Sequence, residues 1–377
     1  MKEKDGIGRR EFLGKAIPSA LALPAVLHGG SKLSLAESGP SPTTDPKKND
    51  RKIKIIAVEE HWATKELSEM AAQSWKARKD LSWRDPKVFS GSIPRLWDFE
   101  KSRLPMMDEY GIAMQVLSNG HPTFQQLNDA AVAVPLAQKF NDLQAEIIRK
   151  YPDRLAGFAN LPTAADPKAA ADELERAVTK LGFRGAMIHG HSNWEYLDAQ
   201  KYWVIWERAA ALGAPIYVHP NEPSSDSIKM YGGYTELMGP TWAWVIETAT
   251  HALRIIVSGV FDAFPNAMLI LGHLGESLPY LLGRFDEGYA MSLKGRKLKR
   301  LPSDYIKENV LVTTSGLYKP EALICAMNAM GPDRILFAMD YPFADPKASL
   351  EVFERTPMSD SHREKIYHLN AERWLRL

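Results

Sequence analysis

Beyond residue 52 the chain alternates between short apolar or β-branched runs and longer stretches of helical periodicity, the rhythm of βα units around a parallel sheet. The short runs fall at 53–58, 114–117, 155–160, 185–188, 215–218, 268–271, 310–313 and 335–339. Helical patterns occupy 104–110, 130–151, 167–181, 202–212, 241–264, 278–289, 320–330 and 359–375. Several open on proline or a short polar residue, and Leu181-Gly182 and Met330-Gly331 close on glycine, as helix ends require. Eight strands with helical returns favour an α/β fold of the closed (β/α)8 TIM-barrel class over a doubly wound open sheet. A chain of 377 residues suits one such barrel with loop insertions at its C-terminal face, placed at 53–377.

In a barrel, chemistry collects where strands end, however far apart the residues lie in sequence. Glu59 and His61 follow the first run, His219 the fifth, His273 the sixth and Asp340 the eighth. Residues two apart on a strand share a face, so Glu59 and His61 converge if the strand continues through them. His219 closes a buried strand, where it is either a hydrogen-bonded core residue or a neutral imidazole ligand. Asp340 ends an apolar run and needs a cation or donors to stay charged. Glu59, His61, His219 and Asp340 together offer two nitrogens and two carboxylates, which suits one divalent ion, Zn²⁺ or Mn²⁺, without choosing between them.

His273 lies between glycines in Gly272-His273-Leu274-Gly275-Glu276, where Glu276 can orient the imidazole. It reads as the proton-handling partner of Asp340. His189 and His191 follow the fourth run, and His189 is either a substrate contact or a structural residue; His121 is a weaker candidate of the same kind. His251 reads as helix packing. Trp62 and Phe343 adjoin proposed ligands and are expected to wall the site for an aromatic or conjugated substrate. Arg284 is a solvated helix charge or a carboxylate clamp.

Lys plus Arg total 47 against 46 for Asp plus Glu, with no basic face, so nucleic acid is not an expected partner. Cys325 is the only cysteine, which excludes an intramolecular disulfide. Paired Arg9-Arg10, an apolar run at 16–27 and Ser34-Leu35-Ala36 resemble a twin-arginine export signal over 1–36, followed by a polar linker at 37–52. The expectation is an exported, periplasmic protein. Pro18 and Pro24 interrupt the apolar run, so stable membrane insertion after processing is not expected.

The strings Glu59-Glu60-His61, His219-Pro220, Gly239-Pro240-Thr241-Trp242-Ala243, Gly272-His273-Leu274-Gly275-Glu276 and Asp340-Tyr341-Pro342-Phe343 resemble the amidohydrolase-related nonoxidative decarboxylases, in particular those acting on γ-resorcylate and 2,3-dihydroxybenzoate. The resemblance runs from about residue 53 to the C-terminus. It implies a (β/α)8 barrel, one metal on Glu59, His61, His219 and Asp340, and proton transfer supported by His273 and Glu276. It also raises Arg284 and Phe343 to substrate-pocket candidates and implies a homodimer or homotetramer. Glu59-x-His61 replaces the His-x-His of many amidohydrolases, and no lysine stands in Ile188-His189-Gly190-His191, which disfavours a binuclear site. The resorcylate enzymes carry asparagine where this chain has His189. The resulting expectation is metal-dependent nonoxidative decarboxylation of a hydroxylated aromatic or conjugated carboxylic acid; hydrolysis of a lactone, ester or amide at the same site is the alternative, and a noncatalytic binding protein the third.

Overall fold

The short runs become strands because β-branched and aromatic residues fill a half-pleated, buried surface well. The computed structural model describes residues 53–77, 90–120, 124–224, 226–292, 295–316 and 319–377; the export signal, the linker and His121 lie outside the described residues. The strands are β1 (Ile56–Trp62), β2 (Met114–Asn119), β3 (Leu155–Gly157), β4 (Ala186–His189), β5 (Ile216–His219), β6 (Leu269–Leu271), β7 (Val310–Thr313) and β8 (Ile335–Leu336). They form two parallel ladders, β1 to β3 and β4 to β8. Parallel bridges join Ala159 to Ala186 on one side and Glu60 to Tyr341 on the other. Val58 N donates to Phe337 O at 3.0 Å and His61 N to Tyr341 O at 2.7 Å, so the last strand returns to the first and the barrel closes.

Two apolar layers follow from strand alternation. Ile56, Val58, Val116, Phe158, Met187, Tyr217, Ile270, Leu311 and Leu336 fill the barrel, and Ala371 and Leu375 of the terminal helix Asn370–Leu375 pack against them. Ala57, Leu117, Ile188, Val218, Leu271 and Val312 face the surrounding helices. β1 departs from simple alternation. Its register against β2 shifts between Ala57 and Glu60, so that one extra residue is absorbed there. Ile56 and Val58 point inward before the shift, and Glu59 and His61 point inward after it.

That shift corrects the reading of Trp62. The residue faces outward, 1 % exposed, and its Nε1 donates to Gln144 Oε1 at 2.8 Å. It therefore packs between sheet and helix instead of walling the site. Other boundaries also move. The helix expected at 241–264 breaks at Gly259, whose φ of +87° ends Ala243–Ser258 before a short turn, Val260–Ala263. The terminal helix runs as Asp360–Glu364, a π turn Lys365–Leu369 and Asn370–Leu375. Helices Lys65–Ala77, Pro302–Asn309 and Pro346–Arg355 were not expected from periodicity. The β8 ladder stops at Leu336, because side chains supply the next partners: Ala338 N donates to Thr314 Oγ1 and Met339 N to Glu60 Oε1, both at 2.9 Å.

Gln144 also holds the second and third strands, its Nε2 donating to Leu117 O at 3.2 Å and Phe158 O at 3.1 Å. A Cβ on Gly157 would lie 2.2 Å from that nitrogen and 2.9 Å from Ile148 Cδ1. Gly157→Ala is therefore expected to lower the unfolding free energy by about 1–3 kcal/mol, the usual cost of overpacking. Urea denaturation checks this, and an unchanged midpoint would show that Gln144 moves aside freely.

Candidate metal centre and cavity

The ends of three strands, β1, β5 and β8, bring Glu59, His61, His219 and Asp340 together, with one ligand atom from each lying within 4.8 Å of the others. His61 Nε2 is 3.1 Å from Asp340 Oδ1, and His219 Nε2 is 3.4 Å from Glu59 Oε1. Glu59 Oε1, His61 Nε2 and Asp340 Oδ1 are buried and make no hydrogen bond within the protein. Buried polar atoms otherwise find partners, so lone pairs converging without donors are what a cation site requires. Two nitrogens and two carboxylate oxygens fit one divalent ion.

The atoms facing away from this point are tied down. Ser118 Oγ lies 3.1 Å from His61 Nδ1, and His219 Nδ1 donates to Pro220 O at 2.9 Å, which leaves the His219 Nε2 lone pair facing Glu59. Burial, followed by the nearby His189, His61 and His273 rings, lowers the His219 pKa well below its ordinary value, so this imidazole is neutral and able to ligate. Glu59 Oε2 accepts from Tyr217, Thr313 and Ser315 hydroxyls.

His273 stands in a left-handed turn, with φ of +51° at His273, +54° at Leu274, +79° at Gly275 and +51° at Glu276. The turn folds Glu276 back onto the ring, His273 Nδ1 to Glu276 Oε1 being 2.7 Å. Burial alone would lower the His273 pKa, but the Glu276 and Glu59 carboxylates outweigh it and push the value up to about 10. A Cβ at Gly272 would sit 3.2 Å from Glu59 Oε2, so glycine there permits the close backbone approach expected from the motif.

Asp340 is aimed by its neighbours. Its φ is +63°, and its N donates to Glu59 O at 3.1 Å. Glu60, fully buried behind β1, accepts from Met339 N at 2.9 Å, Tyr341 N at 3.3 Å and Gln115 Nε2 at 3.0 Å. Arg103 Nη1 in turn donates to Gln115 Oε1 at 2.9 Å, and Nη2 donates to His61 O. Its guanidinium lies 4.6 Å over the Tyr341 ring. Burial lowers the Arg103 pKa to about 10, so it remains cationic at neutral pH. Sequence reasoning missed Arg103, Gln115, Tyr217, Thr313 and Ser315; only the second glutamate of Glu59-Glu60-His61 hinted at this support.

A cavity of about 410 Å³ opens above the cluster, and His61, His219, Asp340, His189, His273, Glu276 and Phe343 all line it. The Phe343 ring lies 5.6 Å from that of His61. His189 Nε2 donates to Asn119 O at 2.8 Å, and its Nδ1 lies 3.1 Å from His219 Nδ1. Ile93, Pro240, Trp244 and Val245 add apolar walls, and Asn221, Glu222 and Ser277 polar ones. Arg284 is not brought to the cavity. It stands exposed on helix Leu282–Ala290, whose Leu282 and Phe285 take the buried side.

Residues 94–377 match the amidohydrolase family profile. The chain belongs to the amidohydrolase family. This amidohydrolase is 41 % identical over 330 residues to a γ-resorcylate decarboxylase from Polaromonas sp. (strain JS666), a match covering 85 % of this chain and 98 % of the relative. It also resembles the crystal structure of a dihydroxybenzoic acid decarboxylase from Polaromonas sp. JS666, with bound manganese and the inhibitor 2-nitroresorcinol. The TM-score there is 0.79 at 39 % identity, over 86 % of this chain and 97 % of the other. A 5-carboxyvanillate decarboxylase from Novosphingobium aromaticivorans, complexed with manganese and 4-hydroxy-3-methoxy-5-nitrobenzoic acid, matches with a TM-score of 0.82 at 30 % identity, over 87 % and 97 % of the two chains.

In this amidohydrolase the Arg103, Gln115 and Glu60 chain is wholly buried, and removing one charge from such a set leaves the other uncompensated. Arg103→Met is expected to lower the unfolding free energy by about 3–5 kcal/mol. Arg103→Lys should recover little, since an ammonium cannot repeat the forked contact. Chemical denaturation of both variants checks this, and a methionine variant as stable as the parent would remove Arg103 from the support of the site.

Proposed function

We propose that this amidohydrolase is a metal-dependent nonoxidative decarboxylase that releases carbon dioxide from a hydroxylated aromatic or conjugated carboxylic acid. One observation carries the reading: Asp340 belongs to the four-residue cluster and also lines the substrate cavity, so one carboxyl group serves both the ion and the reacting carbon. Decarboxylases of γ-resorcylate and dihydroxybenzoate among its relatives support it.

Glu59, His61, His219 and Asp340 would hold one Zn²⁺ or Mn²⁺ ion, which when bound supplies positive charge to neutralise and orient a substrate carboxylate and a neighbouring ring oxygen. Phe343, Trp244, Val245 and Ile93 offer apolar walls to the ring. Asp340 delivers a proton to the ring carbon that bears the carboxylate. The bond to the carboxylate then breaks, its electron pair restores the aromatic ring, and carbon dioxide leaves. His273, cationic and held by Glu276, resupplies the proton to Asp340.

Among the described cavity-lining residues none is lysine or arginine, while Glu222 and Glu276 add carboxyl groups. Positive charge facing a substrate carboxylate therefore comes from the cationic His273 and, when bound, from the ion. Export belongs to the same proposal, supported by Arg9-Arg10 and the apolar run that follows, with residues 1–36 removed, 37–52 as linker and 53–377 as the working domain, assembled as a homodimer or homotetramer.

Asp340→Asn is expected to keep the fold, judged by circular dichroism, and to lose decarboxylation by at least the roughly 10²–10⁴-fold that positioned acids contribute. Undiminished carbon dioxide release by that variant would refute the assignment. A panel of hydroxybenzoates run beside lactones, esters and amides should give turnover on the first group. Turnover confined to the second group would make the chain a hydrolase. Replacing Arg9 and Arg10 by lysine should retain the protein in the cytoplasm, and unchanged fractionation would remove export from the proposal.

A further inference from the structure

Glu59 presents its two oxygens to very different surroundings. Oε1 makes no hydrogen bond and faces His219 Nε2 at 3.4 Å and His273 Nε2 at 3.8 Å. Oε2 accepts from Thr313 Oγ1 at 2.9 Å and from the hydroxyls of Tyr217 and Ser315. The hydroxyl oxygens also touch one another, Tyr217 to Thr313 at 3.0 Å and Thr313 to Ser315 at 2.9 Å. All three side chains are fully buried, and none lines the substrate cavity. The backbone of Gly272 closes the remaining side of the carboxylate.

A carboxylate oxygen has room for about two strong donors, so three hydroxyls saturate Oε2. Their hydrogens draw negative charge onto that oxygen and fix the carboxylate plane. We propose that Tyr217, Thr313 and Ser315 form a hydroxyl clamp that makes Glu59 a one-oxygen ligand, with Oε2 held by the clamp and Oε1 alone offered to the ion. Ser315 extends the clamp, because its Oγ also accepts from His273 N at 3.2 Å. One serine, two residues past the end of β7, thereby contributes both to the orientation of Glu59 and to the placement of the His273 turn. These are positioning residues: they touch the ligand, not the substrate. The inference rests on the metal centre described above, and goes beyond it in giving β5 and β7 hydroxyls a share in metal binding.

The test uses the purified chain and Mn²⁺ alone as the probe. Tyr217→Phe, Thr313→Val and Ser315→Ala are each expected to weaken Mn²⁺ binding by about 10–100-fold, the usual loss when support of a ligand is removed. Equilibrium dialysis and the electron paramagnetic resonance signal of free Mn²⁺ measure this without reference to turnover. Thr313→Ser, which keeps the hydroxyl, should restore the affinity. A merely structural role would lower the melting temperatures of the metal-free and metal-loaded forms equally, whereas the clamp requires that the gain on adding Mn²⁺ shrink. Mn²⁺ affinities within about threefold of the parent for all three variants would overturn the clamp. Absence of Mn²⁺ binding by the parent chain would overturn it together with the centre it serves. Mn²⁺ binding without hydroxybenzoate turnover would overturn the decarboxylase reading alone, and the affinities would still decide the clamp.

Discussion

His61 and Asp340 come from the first and last strands of the barrel, and what brings them within 3.1 Å is the seam where those strands meet. Two backbone hydrogen bonds cross it at the site, His61 N to Tyr341 O and Asp340 N to Glu59 O. β8 is only two residues long as a ladder, too short to aim anything by backbone pairing alone. Glu60 makes up the difference by accepting the amides of Met339 and Tyr341, on either side of Asp340. The carboxylate thus takes the place of the missing strand partner. Arg103, linked to it through the Gln115 amide, supplies the opposite charge from the far side of β1. Without this seam, neither barrel closure nor convergence on one point would follow.

Once the seam is set, the other ligands need only short strands. β5 carries His219 to the same rim, and the carbonyl of the next residue, Pro220, fixes which imidazole nitrogen is bare. β6 delivers the His273 turn, where consecutive left-handed residues reverse the chain tightly enough for Glu276 to reach the ring. Such conformations cost of the order of 1–3 kcal/mol each and persist only where packing over-determines them. Here the cost goes into placing a cationic imidazole beside the cluster. His219 and His273 are thereby driven to opposite protonation states within one cavity, one neutral through burial and neighbouring rings, the other charged through paired carboxylates.

Much of this was legible in the sequence because the barrel rule ties chemistry to strand ends. Hydrophobic runs located all eight strands, and the polar residues after them named the four members of the cluster, with His273 and Glu276 beside it. The failures have separate causes. Period-two alternation predicts which side chains share a face only while register is constant, and the β1 shift is invisible in a string of letters. Trp62 was misplaced because adjacency to His61 in sequence suggested adjacency in space, whereas neighbours on a strand face opposite ways. Arg284 was carried by family likeness, and its helix turns Leu282 and Phe285 inward instead. Helices Lys65–Ala77 and Pro346–Arg355 were also missed.

The four carboxyl groups of the site show why residue type alone could not have assigned roles. Glu59, Glu60, Glu276 and Asp340 carry the same functional group, and the first three are fully or almost fully buried. Glu59 meets hydroxyl donors on one oxygen and imidazoles on the other, so it is suited to ligate. Glu60 meets amide donors and a distant guanidinium, so it organises backbone. Glu276 meets one imidazole nitrogen and holds it. Asp340 opens to the cavity while keeping an oxygen toward His61, and such a placement lets a carboxyl both bind an ion and exchange a proton with a substrate. The division of labour is written in the donors around each group, and those donors come from segments far off in sequence, such as Tyr217 of β5 and Thr313 of β7 around Glu59 of β1.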